Sequence, residues 1–139
     1  MRSNTANRKG KGNKVNTQTE TQKILPTIKS LFIEGRLWFD KTGGNTYHAV
    51  KIEANGKVIN YIPITYGYEN HYQQTALDWL KSYGLVSQET KSIWELREFA
   101  DIYWTSYYTP KRELYKAESV DDKYSKLLFI EELKGRNKN

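Results

Sequence analysis

The side chains best suited by type and spacing to handle protons or a polar ligand fall in two short runs. One is Gly44-Asn45-Thr46-Tyr47-His48; the other is Tyr66-Gly67-Tyr68-Glu69-Asn70-His71-Tyr72. Imidazole, amide and phenol groups drawn together from Asn45, Tyr47, His48, Tyr66, Tyr68, His71 and Tyr72 would make a polar aromatic pocket or contact surface. The same residue types also finish the edges of small cores, where His and Tyr are often only partly buried. His48 and His71 are the chain's two histidines. A zinc site would therefore need carboxylates, and neither His-x-His nor His-Glu-x-x-His spacing occurs, so no metal or cofactor is expected.

Covalent and acid–base catalysis find less in this chain. The absence of Cys removes disulfides, thiolate metal sites and a cysteine nucleophile. No serine sits in Gly-x-Ser-x-Gly or Ser-x-x-Lys, and no glycine-rich phosphate loop ends in Gly-Lys. The adjacent carboxylates Asp121-Asp122 and Glu131-Glu132 diverge around a helix, whereas an acid and base pair must converge. The chain reads as a binding protein, not an enzyme.

What it binds is suggested by where the charge lies. The 139 residues carry 22 Lys plus Arg against 16 Asp plus Glu, a net of +6. Residues 1–23 hold six bases and one acid, and residues 134–139 add three bases, which leaves 13 bases and 15 acids between them. Arg2, Arg8, Lys9, Lys11 and Lys14, spaced by Gly and Asn, make a polycation able to follow phosphates without reading bases. Five such contacts to duplex DNA would give a salt slope of roughly −4.5, about a 500-fold loss of affinity between 50 and 200 mM. A solubilising tail, or one that docks on an acidic protein, is the alternative. The four Trp, eleven Tyr and four Phe are the second surplus. Such rings stack on unpaired bases or anchor protein interfaces. Trp38 is the most telling, since strict alternation sets it on the Glu34 and Arg36 side of its strand.

The elements that must position these groups follow from periodicity. Residues 1–23 have almost no large apolar side chains and are expected to be a disordered basic tail. Leu31, Ile33, Leu37 and Phe39 alternate as one face of a first strand. Asn45–Ala54 forms a second, Asn55-Gly56 supplies a type I′ hairpin turn, and Lys57 to about Tyr66 forms a third. The partners on the second face, Ala49 with Ile62 and Tyr47 with Ile64, require either that both faces be partly covered or that a bulge near Pro63 change the register. Asn70 with Gln73 opens a helix in which Tyr72, Ala76, Leu80 and Tyr83 share a face until Gly84. A second helix is expected from about Glu89 to Pro110 on Ile93, Leu96, Ala100 and Tyr103, and a third from Ser119 to Gly135. The expected fold is α+β: a three-stranded antiparallel meander followed by about three helices packed on the sheet, in one domain over 24–134, with a disordered basic end at 135–139. No run of ~18 apolar residues occurs, and the basic N-terminus leads into Thr17-Gln18-Thr19-Glu20 instead of an apolar signal core, so no membrane partner is expected.

The segments Gly35-Arg36-Leu37-Trp38-Phe39-Asp40, Gly44-Asn45-Thr46-Tyr47-His48, Tyr66-Gly67-Tyr68 and Gln74-Thr75-Ala76-Leu77 resemble a group of small proteins encoded by bacteriophages and prophages. The likeness spans residues 28–86 and carries no activity with it. It implies a phage-derived protein acting in the bacterial host cytoplasm. The order of three strands then a helix is also similar to the later part of a double-stranded-RNA-binding domain, but this helix opens on Asn70-His71-Tyr72 where that family clusters lysines. Two roles are thus expected: a phage accessory protein that binds nucleic acid through its basic tail and exposed aromatic residues, or a factor that binds a host protein through the Trp38, Tyr47 and Tyr66–Tyr72 surface.

Overall fold

Alternation of apolar and polar residues after Lys29 produces a long strand, β1 (Ser30–Asp40), and the next two segments add β2 (Asn45–Ala54) and β3 (Lys57–Tyr66). The computed structural model describes residues 22–67, 69–115 and 120–135. Both antiparallel pairings of the meander form, with Leu31 opposite Ala54 and Trp38 opposite Tyr47 in the first. Asn55 and Gly56 turn the second hairpin with φ of 53° and 85°, the two positive angles that a type I′ turn needs. Asn55 has a further role: its side-chain oxygen accepts from the Lys29 and Ser30 amides at 2.7 and 3.2 Å, and its amide donates to the Thr27 carbonyl. The hairpin is thereby tied to the start of β1.

Both possibilities left open for β3 are realised. Its register against β2 slips once between Ile52 and Glu53 and again between His48 and Val50, the second slip facing Pro63. Both faces of β2 are also covered there, since His48, Ala49 and Val50 are buried in succession.

The second expected helix is absent. Ile93–Glu98 forms a short 3-10 helix, and Asp101–Tyr108 is a fourth strand, β4, parallel to β1. The sheet is therefore four-stranded and mixed, in the order β3-β2-β1-β4. Ile93 and Leu96 satisfy a helical spacing within the 3-10 turn, but the run Ile102-Tyr103-Trp104-Thr105 is rich in the residues that fit a pleated surface. The other edge of β1 offers a row of backbone groups that β4 satisfies, which local periodicity does not register. The order of three strands and then a helix is present as expected, and β4 is an addition to it.

The helix α1 (His71–Ser82) forms as expected, although Asn70 makes no side-chain cap hydrogen bond. It runs back across the face formed by Leu31, Ile33, Gly35 and Leu37 and acts as the crossover that a parallel β1–β4 pair demands. Contact is closest at Gly35, where an added Cβ would lie 2.5 Å from the Tyr72 ring. The helix α2 (Val120–Leu133) brings Ile130 and Leu133 into the same core, while Leu127 and Leu128 remain exposed. The Ser119 start of that helix lies outside the described residues. On the opposite face, a second 3-10 turn (Lys111–Tyr115) crosses the sheet, burying Leu114 and placing the Glu113 carbonyl 3.2 Å from the Arg36 guanidinium. No helix of the described residues is long and apolar enough to cross a membrane.

Candidate aromatic binding surface

A strand rises about 3.3 Å per residue and an α-helix 1.5 Å. The eleven residues of β1 therefore outrun the twelve of α1 by nearly a factor of two. One end of the sheet is left without a helix over it, and that end is where β1 finishes, β2 begins and β3 and β4 finish. Its rings stand open: Phe39 is 46% exposed, Tyr66 56% and Tyr108 65%. Phe39 was expected to join the core face with Leu37, and it is on that face but beyond the reach of α1.

On the face away from α1, three rings form a row across three strands. Trp38 stacks on Tyr47 with centroids 5.9 Å apart and planes at 29°. Tyr47 meets Tyr66 edge-on at 5.7 Å and 71°. The pairing that sets Trp38 opposite Tyr47 and Tyr47 opposite Tyr66 places all three on one side. Lys111, positioned by the 3-10 turn, holds its ammonium 5.0 Å from the centre of the Trp38 ring. Behind the row, Arg36 is buried 3.9 Å from Glu34, with Lys51 bridging Glu34 and Glu53 at 3.7 and 3.1 Å. Burial pulls the Lys51 ammonium down, but the Glu53 hydrogen bond and the charges of Glu34 and Glu53 outweigh it and hold the pKa above its ordinary value.

At the same end lies an open cleft of about 380 Å³, lined by Phe39, Gly44, Asn45, Thr46, Tyr66, Glu69 and Tyr108. Glu69 is the titratable acid at its wall, so this side suits a neutral or cationic group better than a phosphate.

The two histidines meet beneath that end, with ring centroids 5.6 Å apart. His48 is fully buried, and both of its nitrogens are engaged. Nδ1 lies 3.0 Å from the Gly67 carbonyl oxygen, which only accepts, so Nδ1 carries the proton. Nε2, 2.8 Å from the Thr75 hydroxyl, then accepts from it. Burial lowers the His48 pKa, the Gly67 carbonyl partly opposes this, and the neighbouring His71 adds to the lowering. Gly67 is required at its position twice over, by a φ of +147° and because an added Cβ would stand 2.5 Å from the His71 ring. His48 thus fastens the start of α1 to β2 and offers no free nitrogen to a ligand.

Of the residues singled out in the sequence, Trp38, Asn45, Tyr47 and Tyr66 gather at the open end, with His71 exposed close by. Tyr72 does not join them: it is 2% exposed, packed on Gly35 in the core. Tyr68 and the basic residues Arg2, Arg8, Lys9, Lys11 and Lys14 lie outside the described residues. Lys111 and Phe39 were missed as contact residues. The shortness of the helical run relative to the first strand was the signal for Phe39; Lys111 needed the strand assignment of β4. No group of three or more His, Cys, Asp or Glu among the described residues could hold a metal ion. No known protein-family model matches the chain, and neither does any curated protein or solved structure.

Proposed function

We propose that this is a non-enzymatic protein that binds single-stranded nucleic acid, the Trp38–Tyr47–Tyr66 row stacking on bases while Lys111 and the N-terminal cations follow phosphates. The observation that carries this reading is the ring row itself, three aromatic side chains in register across three strands with a cation at one end. Unpaired bases stack on such rings at about 1–3 kcal/mol each, without regard to sequence. The resemblance to phage-encoded proteins fits a role in the bacterial host cytoplasm, where single strands arise in replication and recombination. A second reading rests on the cleft beside the row: Phe39, Tyr66 and Tyr108 with Glu69 would receive an apolar or basic side chain of a host protein.

The test measures binding of a fluorescent oligothymidylate to the full chain across a salt series. Tyr66→Ala and Trp38→Ala each weaken binding by roughly fivefold or more. Replacing Arg2, Arg8, Lys9, Lys11 and Lys14 together by Gln flattens the salt slope by about 3.5, the single-strand value for five phosphate contacts. Equal retention by wild type and Tyr66→Ala at low salt overturns the stacking role and turns the search to host proteins captured at the cleft.

A further inference from the structure

The last strand of the sheet presents an unusual edge. Asp101 donates its amide to Lys29 and Thr109 donates to Leu37, so the odd-numbered backbone groups of β4 face β1. The even-numbered ones, those of Ile102, Trp104, Ser106 and Tyr108, therefore point outward, and among the described residues no strand pairs with them. Proteins blunt such edges with Lys, Pro or a bulge. β4 has none of these across Asp101–Tyr108, and its pairing with β1 is unbroken. It displays Tyr103 at 60% exposure, Tyr107 at 46% and Tyr108 at 65%.

We propose that this edge pairs with the β4 of a second copy of the chain, antiparallel about a two-fold axis through Thr105, joining two four-stranded sheets into one. The strand is complementary to itself in that register. Ile102 and Tyr108 become hydrogen-bonded partners, as do Trp104 and Ser106, and by symmetry the ribbon holds about eight hydrogen bonds. Tyr103 stands beside Tyr107 of the other copy on one face, twice over, giving each exposed ring an aromatic neighbour. Covering the three tyrosines removes roughly 300 Å² per chain from water, and the ribbon adds its backbone. The total lies at the low end for a specific interface, the range of weak, concentration-dependent association.

Sedimentation of the full chain from about 1 to 500 μM reads this directly. The expected result is a monomer–dimer equilibrium that Thr105→Lys weakens by tenfold or more, since two ammonium groups would then meet at the axis while the Thr105 side chain is exposed and outside the core. Because the chain contains no Cys, Thr105→Cys gives a register-specific test: across the axis the two residues form a non-hydrogen-bonded pair about 4.5 Å apart, within disulfide range. Mild oxidation cross-links Thr105→Cys and leaves Tyr103→Cys single. A wild-type chain that stays monomeric throughout, a dimer that Thr105→Lys leaves intact, or equal cross-linking at both positions overturns the proposal. So does protection of the Ile102, Trp104, Ser106 and Tyr108 amides from exchange without any change in mass, which would assign the edge to another segment of the same chain.

Discussion

The two ends of the sheet carry different side chains, aliphatic at one and aromatic at the other, and end in opposite states. Where β1 begins, Leu31, Ile33, Ile52 and Ala54 are completely buried beneath α1 and α2. Where it finishes, Phe39, Tyr66 and Tyr108 are about half exposed or more. Coverage separates them, because a twelve-residue helix spans only part of an eleven-residue strand. One end supplies stability and the other a surface, and aromatic rings serve at the open end because they carry large contact area with few rotatable bonds.

Substitutions should separate these roles. At the buried end, Ile33→Ala costs about 2–5 kcal/mol in urea unfolding, as expected of a fully enclosed aliphatic side chain. At the middle, Gly35→Ala drives a Cβ into the Tyr72 ring and costs about 1–3 kcal/mol. That penalty shrinks when Tyr72 is also replaced by Ala, and an unchanged penalty in this double-mutant cycle would mean that backbone strain, not the ring, is the cause. Where the two ends meet, His48 makes stability depend on pH. Its folded pKa is lowered, chiefly by burial, so the unfolded chain binds the proton more readily. The His48 contribution is therefore intact above about pH 6.5 and declines as pH falls below it. Thermal unfolding between pH 8 and 5 should show that decline in the wild type, and His48→Gln should flatten it. At the open end, Tyr66→Ala costs no more than about 1 kcal/mol, the loss of its edge contact with Tyr47, while the proposed function expects the same variant to weaken oligonucleotide binding.

The three meander strands, their type I′ turn and α1 were legible because each is written in contiguous residues: period-two alternation, Asn55-Gly56, and the spacing of Tyr72, Ala76 and Leu80. The position of Trp38 opposite the core was legible for the same reason. β4 was not, since Ile93, Leu96, Ala100 and Tyr103 match a helical period. What decided for a strand was the unpaired edge of β1, some seventy residues earlier. The site was legible in part: the runs around Tyr47 and Tyr66 meet through antiparallel pairing, but the removal of His48 and Tyr72 into the interior depended on α1 folding back over Gly35.

The amino-acid sequence by itself determined the charge distribution, the absence of thiol chemistry, the meander and its first helix. These follow from composition and from interactions between near neighbours. Only the tertiary structure decided that a parallel fourth strand closes one side of the sheet, that His48 is a fastener and not a ligand, and which rings remain open. Each of those outcomes turns on the relative lengths and packing of elements far apart in the chain, for which no local pattern carries the information.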